Sequence, residues 1–276
     1  NDIPRIDYTD STEGALLLEN SATNYMYPSI NLADWASFVA SGTVTRTNQY
    51  ASSPDGTNSA TRIQMSGGNA TQWTYQNTSN LVTFVSFYAK ATSGNEQYFR
   101  LFWNNGNSGS DLIATNEWKR FEVAVSQGST LPIGITTHSN LSASDILIWG
   151  FQGEQGSVAS SYIPTNGSIV QRAAETCNES GNSEVFNDSQ GVLFANIAAF
   201  EETNSFEAIS INDNSTSDRI FMGYYSDDLY ITVVDGGQAK YDVNTPINVK
   251  QNNKIAVKYK AQDFSFYLNG FEINAS

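Results

Sequence analysis

The strongest constraint on this chain is its punctuation. Short aromatic or β-branched runs recur along it, and each is closed within a few residues by Gly, Ser, Asn or Pro. "SGTVTRTNQY" alternates with the period of a half-buried strand, and "ATRIQMS", "ATQWTYQNT", "LVTFVSFYAKA", "EQYFRLFWNNG", "EWKRFEVAVS" and "SDILIWGFQGEQG" follow it. In "SPDGTNSA", Pro54 presets one turn dihedral and Gly56 permits a positive one. Runs of Ala, Leu, Glu and Lys, which favour helix, are scarce. The pattern predicts an all-β protein, and 276 residues suffice for two domains with their own cores.

After Cys177 the stretch "NESGNSEVFNDSQG" is polar, acidic and short of apolar residues, which reads as a link. A second series then begins with "GVLFANIAAFE", "SFEAISINDN", "DRIFMGYYSDD", "LYITVVDGG", "QAKYDVN", "NKIAVKYKAQ" and "DFSFYLNGFEIN". "SDD" and "DGG" mark hairpin-like turns, and Asn269-Gly270 is a strong turn signal. The expected order is a lead-in over 1–24, a sandwich over 25–172, a linker over 173–190 and a second antiparallel sandwich over 191–276. No sequence repeat relates the two series.

Composition narrows the chemistry. A net charge of -14 repels phosphate backbones, so nucleic-acid binding is not expected. The single cysteine, Cys177, rules out an internal disulfide and reads as a structural residue near the domain boundary. The single histidine, His138, lies in a polar loop and reads as a surface residue; one histidine makes a histidine metal centre or a Ser-His-Asp triad hard to build. No nucleophile elbow, phosphate loop or Cys/His cluster occurs. No run approaches the roughly 18 apolar residues of a membrane span. No signal-peptide pattern opens the sequence, and both ends stop abruptly, so a longer parent protein is expected.

Two separated elements carry a family resemblance. The opening shows Pro4, Arg5, Asp7 and Tyr8, then Leu16 to Glu19, then Thr23 and Asn24; Trp35 and the "SPDGT" turn also fit. The closing stretch shows Gln152, Glu154, Gly156, Ala159, Ser161, Tyr162, Ile163, Pro164 and Thr165, followed by Arg172 and Cys177. In that order they resemble a domain of bacteriophage tail and virion proteins and related bacterial surface proteins. Gly153 and Asn20 depart from its usual wording. The resemblance spans Asn1 to about Cys177 and implies a carbohydrate-binding-module-like jelly roll. The second series resembles a laminin-G or concanavalin-like sandwich, chiefly through the "FYLNG" hairpin. Such a sandwich normally has further strands, so this one is expected to be truncated at Ser276.

Several side-chain groups could carry chemistry. Aromatic faces stack on the apolar faces of sugars while amides and guanidinium groups hold hydroxyls. "QWTYQN" and "RLFWNNGN" place both kinds together, so Trp73, Tyr75, Arg100, Trp103, Asn104 and Asn105 are the candidate carbohydrate-binding residues. Strand alternation puts Trp73 with Tyr75, opposite Gln72, Thr74 and Gln76. It likewise puts Leu101 with Trp103, opposite Arg100, Phe102 and Asn104. A sandwich must also bury one face of every strand, so Trp73, Trp103, Trp118 and Trp149 equally fit as core. Trp103, beside an Asn-Gly loop, is the expected partly exposed ring, and Trp149 the expected core member. Laminin-G-like domains and jelly rolls often hold a structural Ca2+, and Asp213, Asn214, Asp218, Asp227 and Asp228 are candidate ligands, though without EF-hand spacing. Solvated turn carboxylates explain them equally. Close acidic pairs, Glu13 with Glu19, Glu117 with Glu122, Glu201 with Glu202 and Asp227 with Asp228, could serve a glycosidase only about 5–10 Å apart across a cleft. In a chain with twice as many acids as bases such pairs also arise by chance.

The resemblance implies a non-enzymatic virion protein, such as a tail-fibre, head-fibre or other appendage. It would bind cell-surface glycans and other virion proteins as a homo-oligomer, without a cofactor beyond structural Ca2+. The alternative is the secreted accessory region of a polysaccharide-degrading enzyme.

Overall fold

The computed structural model describes residues 5–8, 12–67, 71–78, 81–128, 132–178, 180–182, 184–187, 189–200 and 206–274. Among them every regular element is a strand, apart from one 3-10 turn at Leu32–Asp34. The protein is all-β, built of antiparallel sheets, and divides into two compact units, Asn1–Thr176 and Cys177–Ser276.

The first unit runs through β1 (Arg5–Asp7), β2 (Ala15–Leu17), β3 (Ala22–Asn24), β4 (Ala36–Val39), β5 (Thr43–Ala51), β6 (Ala60–Ser66) and β7 (Gln72–Asn77). It continues with β8 (Phe84–Ala91), β9 (Gln97–Trp103), β10 (Ser108–Ala114), β11 (Lys119–Ala124), β12 (Pro132–Thr137), β13 (Ala143–Glu154) and β14 (Val170–Arg172). Two five-stranded sheets form its body. The front sheet has the order β10-β9-β12-β7-β4 and the back sheet β11-β8-β13-β6-β5. Most neighbours within a sheet are distant in sequence, so the chain crosses repeatedly between the two layers.

Alternation fills the space between them. Phe99, Leu101, Ile133 and Ile135 from the front sheet meet Ile63, Phe87, Ile146, Ile148 and Phe151 from the back. Phe87 is central: its ring stacks on Phe151 at 5.0 Å and on Phe121 at 5.6 Å, and Phe99 meets it edge-on at 6.1 Å. Such pairs contribute about 0.5–1.5 kcal/mol each beyond area burial. Trp149 is buried in the back sheet, and its Nε1 donates to Ser59 Oγ at 2.9 Å.

The opening and closing elements meet in one seam. β14 pairs antiparallel with β3, placing Val170 opposite Asn24 and Arg172 opposite Ala22. Asn24 is fully buried. Its Nδ2 donates to the carbonyls of Ile163 (2.9 Å) and Phe151 (3.3 Å), and its Oδ1 accepts from the N–H groups of Met26 (3.0 Å) and Gly153 (3.1 Å). Gln152 Oε1 accepts the Ile163 N–H at 2.6 Å, which turns Ile163 into the core. Tyr162 packs on Trp149 at 4.6 Å and bonds Ser29 Oγ at 2.5 Å; burial pushes its hydroxyl up to about 12. Thr165 Oγ1 donates to the Met26 carbonyl at 2.6 Å. Asn24, Gln152, Tyr162, Ile163 and Thr165 are thus joined because the backbone groups of a non-ladder segment need partners.

Charge closes the outer end of the seam. Arg5 binds Glu175 through Nε at 2.5 Å and also pairs with Glu19; Arg172 lies 3.3 Å from Glu19, whose other oxygen accepts the Ser161 N–H at 2.7 Å. Burial pushes the Glu19 carboxyl up, but Arg5, the Ser161 N–H and Arg172 outweigh it and hold it below the ordinary glutamate range. Arg5 likewise holds Glu175 down. Carboxylates depressed in the folded state stabilise it fully above their unfolded value, about 4.3 for Glu, and lose that contribution as pH falls through the folded value. Glu19→Gln is therefore expected to cost roughly 2 kcal/mol at pH 7, less than a fully buried pair because Arg5 remains 35% exposed. The same variant should flatten the acid limb of the stability curve below about pH 4.3. Urea unfolding across pH 2–7 checks this; an unchanged slope would remove Glu19 from the account.

The second unit contains β15 (Gln190–Ile197), β16 (Glu207–Asn212), β17 (Arg219–Tyr225), β18 (Asp228–Asp235), β19 (Gln238–Pro246), β20 (Asn253–Lys260), β21 (Asp263–Leu268) and β22 (Phe271–Ile273). Its four-stranded sheets, β15-β20-β21-β22 and β16-β17-β18-β19, enclose a separate core around Met222, Leu229, Ile231, Ile255, Val257 and Phe266. Asn269 and Gly270 turn the chain between β21 and β22 with φ of 52° and 88°, the left-handed pair that a tight hairpin requires.

Candidate functional site

The site grows out of the front sheet's outer face. Phe99, Leu101 and Trp103 of β9 point into the core, so Arg100 and Phe102 must point out. β12 sends Ile133 and Ile135 inward and leaves Gly134 and Thr136 outward. On β7 the inward residues are polar: Thr74 Oγ1 accepts from Arg46 of β5 at 3.2 Å, and Gln72 Nε2 donates to the Ser66 carbonyl of β6 at 3.0 Å. The outward residues of β7 are the aromatic ones, Trp73 and Tyr75.

Strand register aligns these side chains into two rows. One row crosses the sheet as Phe38, Trp73, Thr136, Arg100 and Asp111. The next is Ala36, Tyr75, Gly134, Phe102 and Gly109. Trp73 joins them, with ring centroids 4.7 Å from Phe102, 5.1 Å from Phe38 and 6.3 Å from Tyr75. Phe102 is buried beneath it, whereas Phe38 is 46% exposed. Gly134 is buried in the second row and lets β7 pack close, because a Cβ there would lie 2.7 Å from the Tyr75 Cα. The result is an open groove of about 290 Å³ lined by Phe38, Trp73, Tyr75, Asn77, Asn105 and Pro132.

The β9–β10 turn walls one side. Asn104, Asn105 and Gly106 all hold left-handed φ, at 53°, 58° and 80°, which Asn tolerates and Gly adopts freely. Gly106 sits against the Trp73 ring, where a Cβ would come within 2.6 Å. Asn104 spends both ends of its amide on the neighbouring loop: Nδ2 donates to Ser126 O at 2.8 Å and Oδ1 accepts from Gly128 N at 3.0 Å. Asn104 therefore shapes the turn, and Asn105 faces the groove.

The far end of the first row is ionic. Arg100 lies 3.1 Å from Asp111, which also accepts the Ser139 N–H at 3.1 Å and its hydroxyl at 2.6 Å. Burial pushes the Asp111 carboxyl up, but Ser139 and Arg100 outweigh it and hold it below the usual aspartate range. His138 Nε2 is 3.7 Å from Asp111, and its ring meets Tyr98 edge-on at 5.9 Å. Between the aromatic and ionic ends, Thr136 Oγ1 is buried without a hydrogen-bond partner.

The structure thus brings Trp73, Tyr75 and Asn105 to one groove, with Arg100 on the same face. Trp103 takes the opposite face. It is 9% exposed and packs in the core, because β9 lies between two strands and alternation commits Trp103 with Phe99 and Leu101. The expectation of a partly exposed Trp103 ring is corrected accordingly. Phe38, Pro132 and Thr136 escape the sequence reading, and Asn77 and Phe102 lie in the quoted runs without being singled out, because cross-strand register brings all five to this face.

The carboxylates have other occupations. Glu19 belongs to the seam, Glu122 pairs with Arg120 at 3.1 Å, and Glu201 and Glu202 lie outside the described residues, as does Pro4 of the opening element. Asp213 accepts the Ser215 N–H at 3.0 Å and Asp218 the Gly236 N–H at 2.8 Å. Asp227 and Asp228 stand at the β17–β18 turn, where the Asp227 carbonyl accepts from Ile247 N at 2.8 Å. Among the described residues, no three His, Cys, Asp or Glu side chains are grouped to hold a metal ion. No described helix is long and apolar enough to cross a membrane.

No family model matches the sequence, and no curated protein matches it. Among solved structures, the chain is similar to the CBM22-1–GH10 modules of the Clostridium thermocellum endo-1,4-beta-D-xylanase 10B complexed with xylohexaose. The identity is 13%, the TM-score 0.31, and the alignment covers 48% of this chain and 27% of that one. At that level the likeness bears on neither ligand nor activity.

Proposed function

We propose that this is a non-catalytic glycan-binding protein whose first unit holds a sugar chain in the front-sheet groove. One observation carries the reading: Trp73, Tyr75 and Phe38 line an open groove with the amides of Asn77 and Asn105 beside them. Rings supply stacking area for the apolar faces of sugars, and amides supply both donors and acceptors for hydroxyls. The described lining residues are aromatic, amide and proline side chains, a set suited to binding.

The setting we propose is a virion appendage, for host-surface attachment or particle decoration, with many copies multiplying a weak individual affinity. Support for that setting comes from the opening and closing sequence elements, whose residues the seam joins. The protein's position can be read by imaging labelled particles; finding it beside a secreted polysaccharide-degrading enzyme would instead support the accessory-region alternative.

Trp73→Ala is expected to weaken binding to a surface polysaccharide roughly 30- to 100-fold, the loss of about 2–3 kcal/mol typical of a central aromatic anchor. Trp103→Ala is the contrast, expected to lower stability first. Titration of both variants against the wild type decides; unchanged affinity in Trp73→Ala would sink the groove.

A further inference from the structure

The second unit carries a face of the same construction. Ile220, Met222 and Tyr224 of β17 and Leu229, Ile231 and Val233 of β18 point into the core, so Arg219, Phe221, Gly223 and Tyr225, with Tyr230 and Thr232, point out. Phe206, just before β16, is 55% exposed and gathers these rings. Its centroid is 4.9 Å from Tyr225, 5.4 Å from Phe221 and 5.4 Å from Tyr230, and the last two contacts are edge-on. Gly223, directly opposite Tyr230, is buried and lets β16 pack close, because a Cβ there would lie 2.6 Å from the Ala208 Cα. Asn244, opposite Tyr230 on β19, donates to the Tyr230 hydroxyl at 2.9 Å. Arg219 lies over Phe221 at 5.2 Å, with its Nε–H lacking any hydrogen-bond partner.

Each element has a counterpart in the first unit's groove: an outward aromatic set, a buried glycine against which the neighbouring strand packs closely, an adjacent amide, and an orphaned polar atom. In the first unit those are Trp73 with Tyr75, Gly134, Asn105 and Thr136 Oγ1. A surface kept only for solubility would not hold three rings around an exposed phenylalanine. A packed protein partner is disfavoured by the polar components, Asn244, Thr232 and Arg219, set among the rings.

We infer that the outer face of β16–β19 is a second glycan-binding platform, formed by Phe206, Tyr225 and Tyr230, with Asn244 and Arg219 as its polar contacts, so that one chain holds two sugar sites. The inference rests on the proposed reading of the first groove, since the likeness between the two faces selects a glycan as occupant. The first groove takes uncharged sugars. The cation on the first groove's face, Arg100, is paired with Asp111, and the chain as a whole is strongly acidic.

The test is calorimetric titration of the intact chain with neutral β-1,4-linked gluco-, xylo-, manno- and galacto-hexaoses, with the corresponding uronate oligomer as an acidic control. A bound stoichiometry of two is expected, falling to one in Trp73→Ala and to one in Phe206→Ala. Tyr230→Ala should repeat the second result, and Phe206, being largely exposed, can be removed without disturbing the core. A stoichiometry of one that vanishes in Trp73→Ala overturns this inference and leaves the first groove standing. A stoichiometry of one that survives Trp73→Ala and vanishes in Phe206→Ala does the reverse. Tighter binding of the uronate oligomer overturns the neutral-sugar assignment, and absence of binding across the panel overturns both sites.

Discussion

Asn24→Ala should unfold the first unit at markedly lower denaturant than the wild type while the second unit's transition stays in place. The side chain is fully buried and serves two backbone carbonyls and two backbone N–H groups. Alanine leaves these groups stranded, and a buried orphan costs roughly 1–3 kcal/mol. The penalties are not additive, and water can reach part of the vacated space, so a net loss of about 4 kcal/mol is expected. For a unit of this size that corresponds to a fall in Tm of roughly 12 °C. Asn24→Asp keeps the acceptor but loses the donor and buries a charge, so it should not rescue. A loss below about 1 kcal/mol would show that the seam is held by its strand pairing alone.

Phe87→Ala is expected to cost a similar amount, about 4 kcal/mol, by a different route. Three rings lose their common partner at once, Phe151, Phe121 and Phe99, and the cavity lies between two sheets whose strands cannot collapse independently. Phe87→Leu, which restores most of the volume, should recover all but about 1.5 kcal/mol. Because Phe99 belongs to β9, which also carries Arg100 and Phe102, the alanine variant should loosen the groove's floor as well. Near-ultraviolet circular dichroism and urea titration check the first effect, and glycan titration at low temperature checks the second. If Phe87→Ala and Phe87→Leu prove equally stable, packing at this position is not what joins the sheets.

The all-β class was legible because turn residues cut every apolar run before a helix could form. Which side chains share a face was legible too: Trp73 with Tyr75, and Leu101 with Trp103, follow from a period of two. Which of the two faces looks outward was not. On β9 both sets are apolar in part, and Trp103 enters the core while Phe102 is buried from outside by Trp73. That outcome depends on register with β7 and β12, strands some 30 residues away on either side. Phe38 shows the same limit, since nothing in "WASFVAS" marks it until β4 pairs with β7. Polar residues buried for structure, such as Gln72 and Asn24, resemble binding residues in a sequence and are told apart only by their partners.

The antiparallel pairing of β3 with β14 decides how the first unit answers to tension. β3 and β14 lie near the two ends of that unit, with β1 and β2 ahead of the pair, so a pull on those ends separates β14 from β3 one hydrogen bond after another. The sandwich itself carries little of the load while that pair and the Arg5, Glu19 and Glu175 cluster give way. A seam loaded in this sequence yields at low force and lengthens the chain before either core is disturbed. Single-molecule stretching should show a small early step, weakened further in Glu19→Gln, ahead of the larger rupture of the two five-stranded sheets.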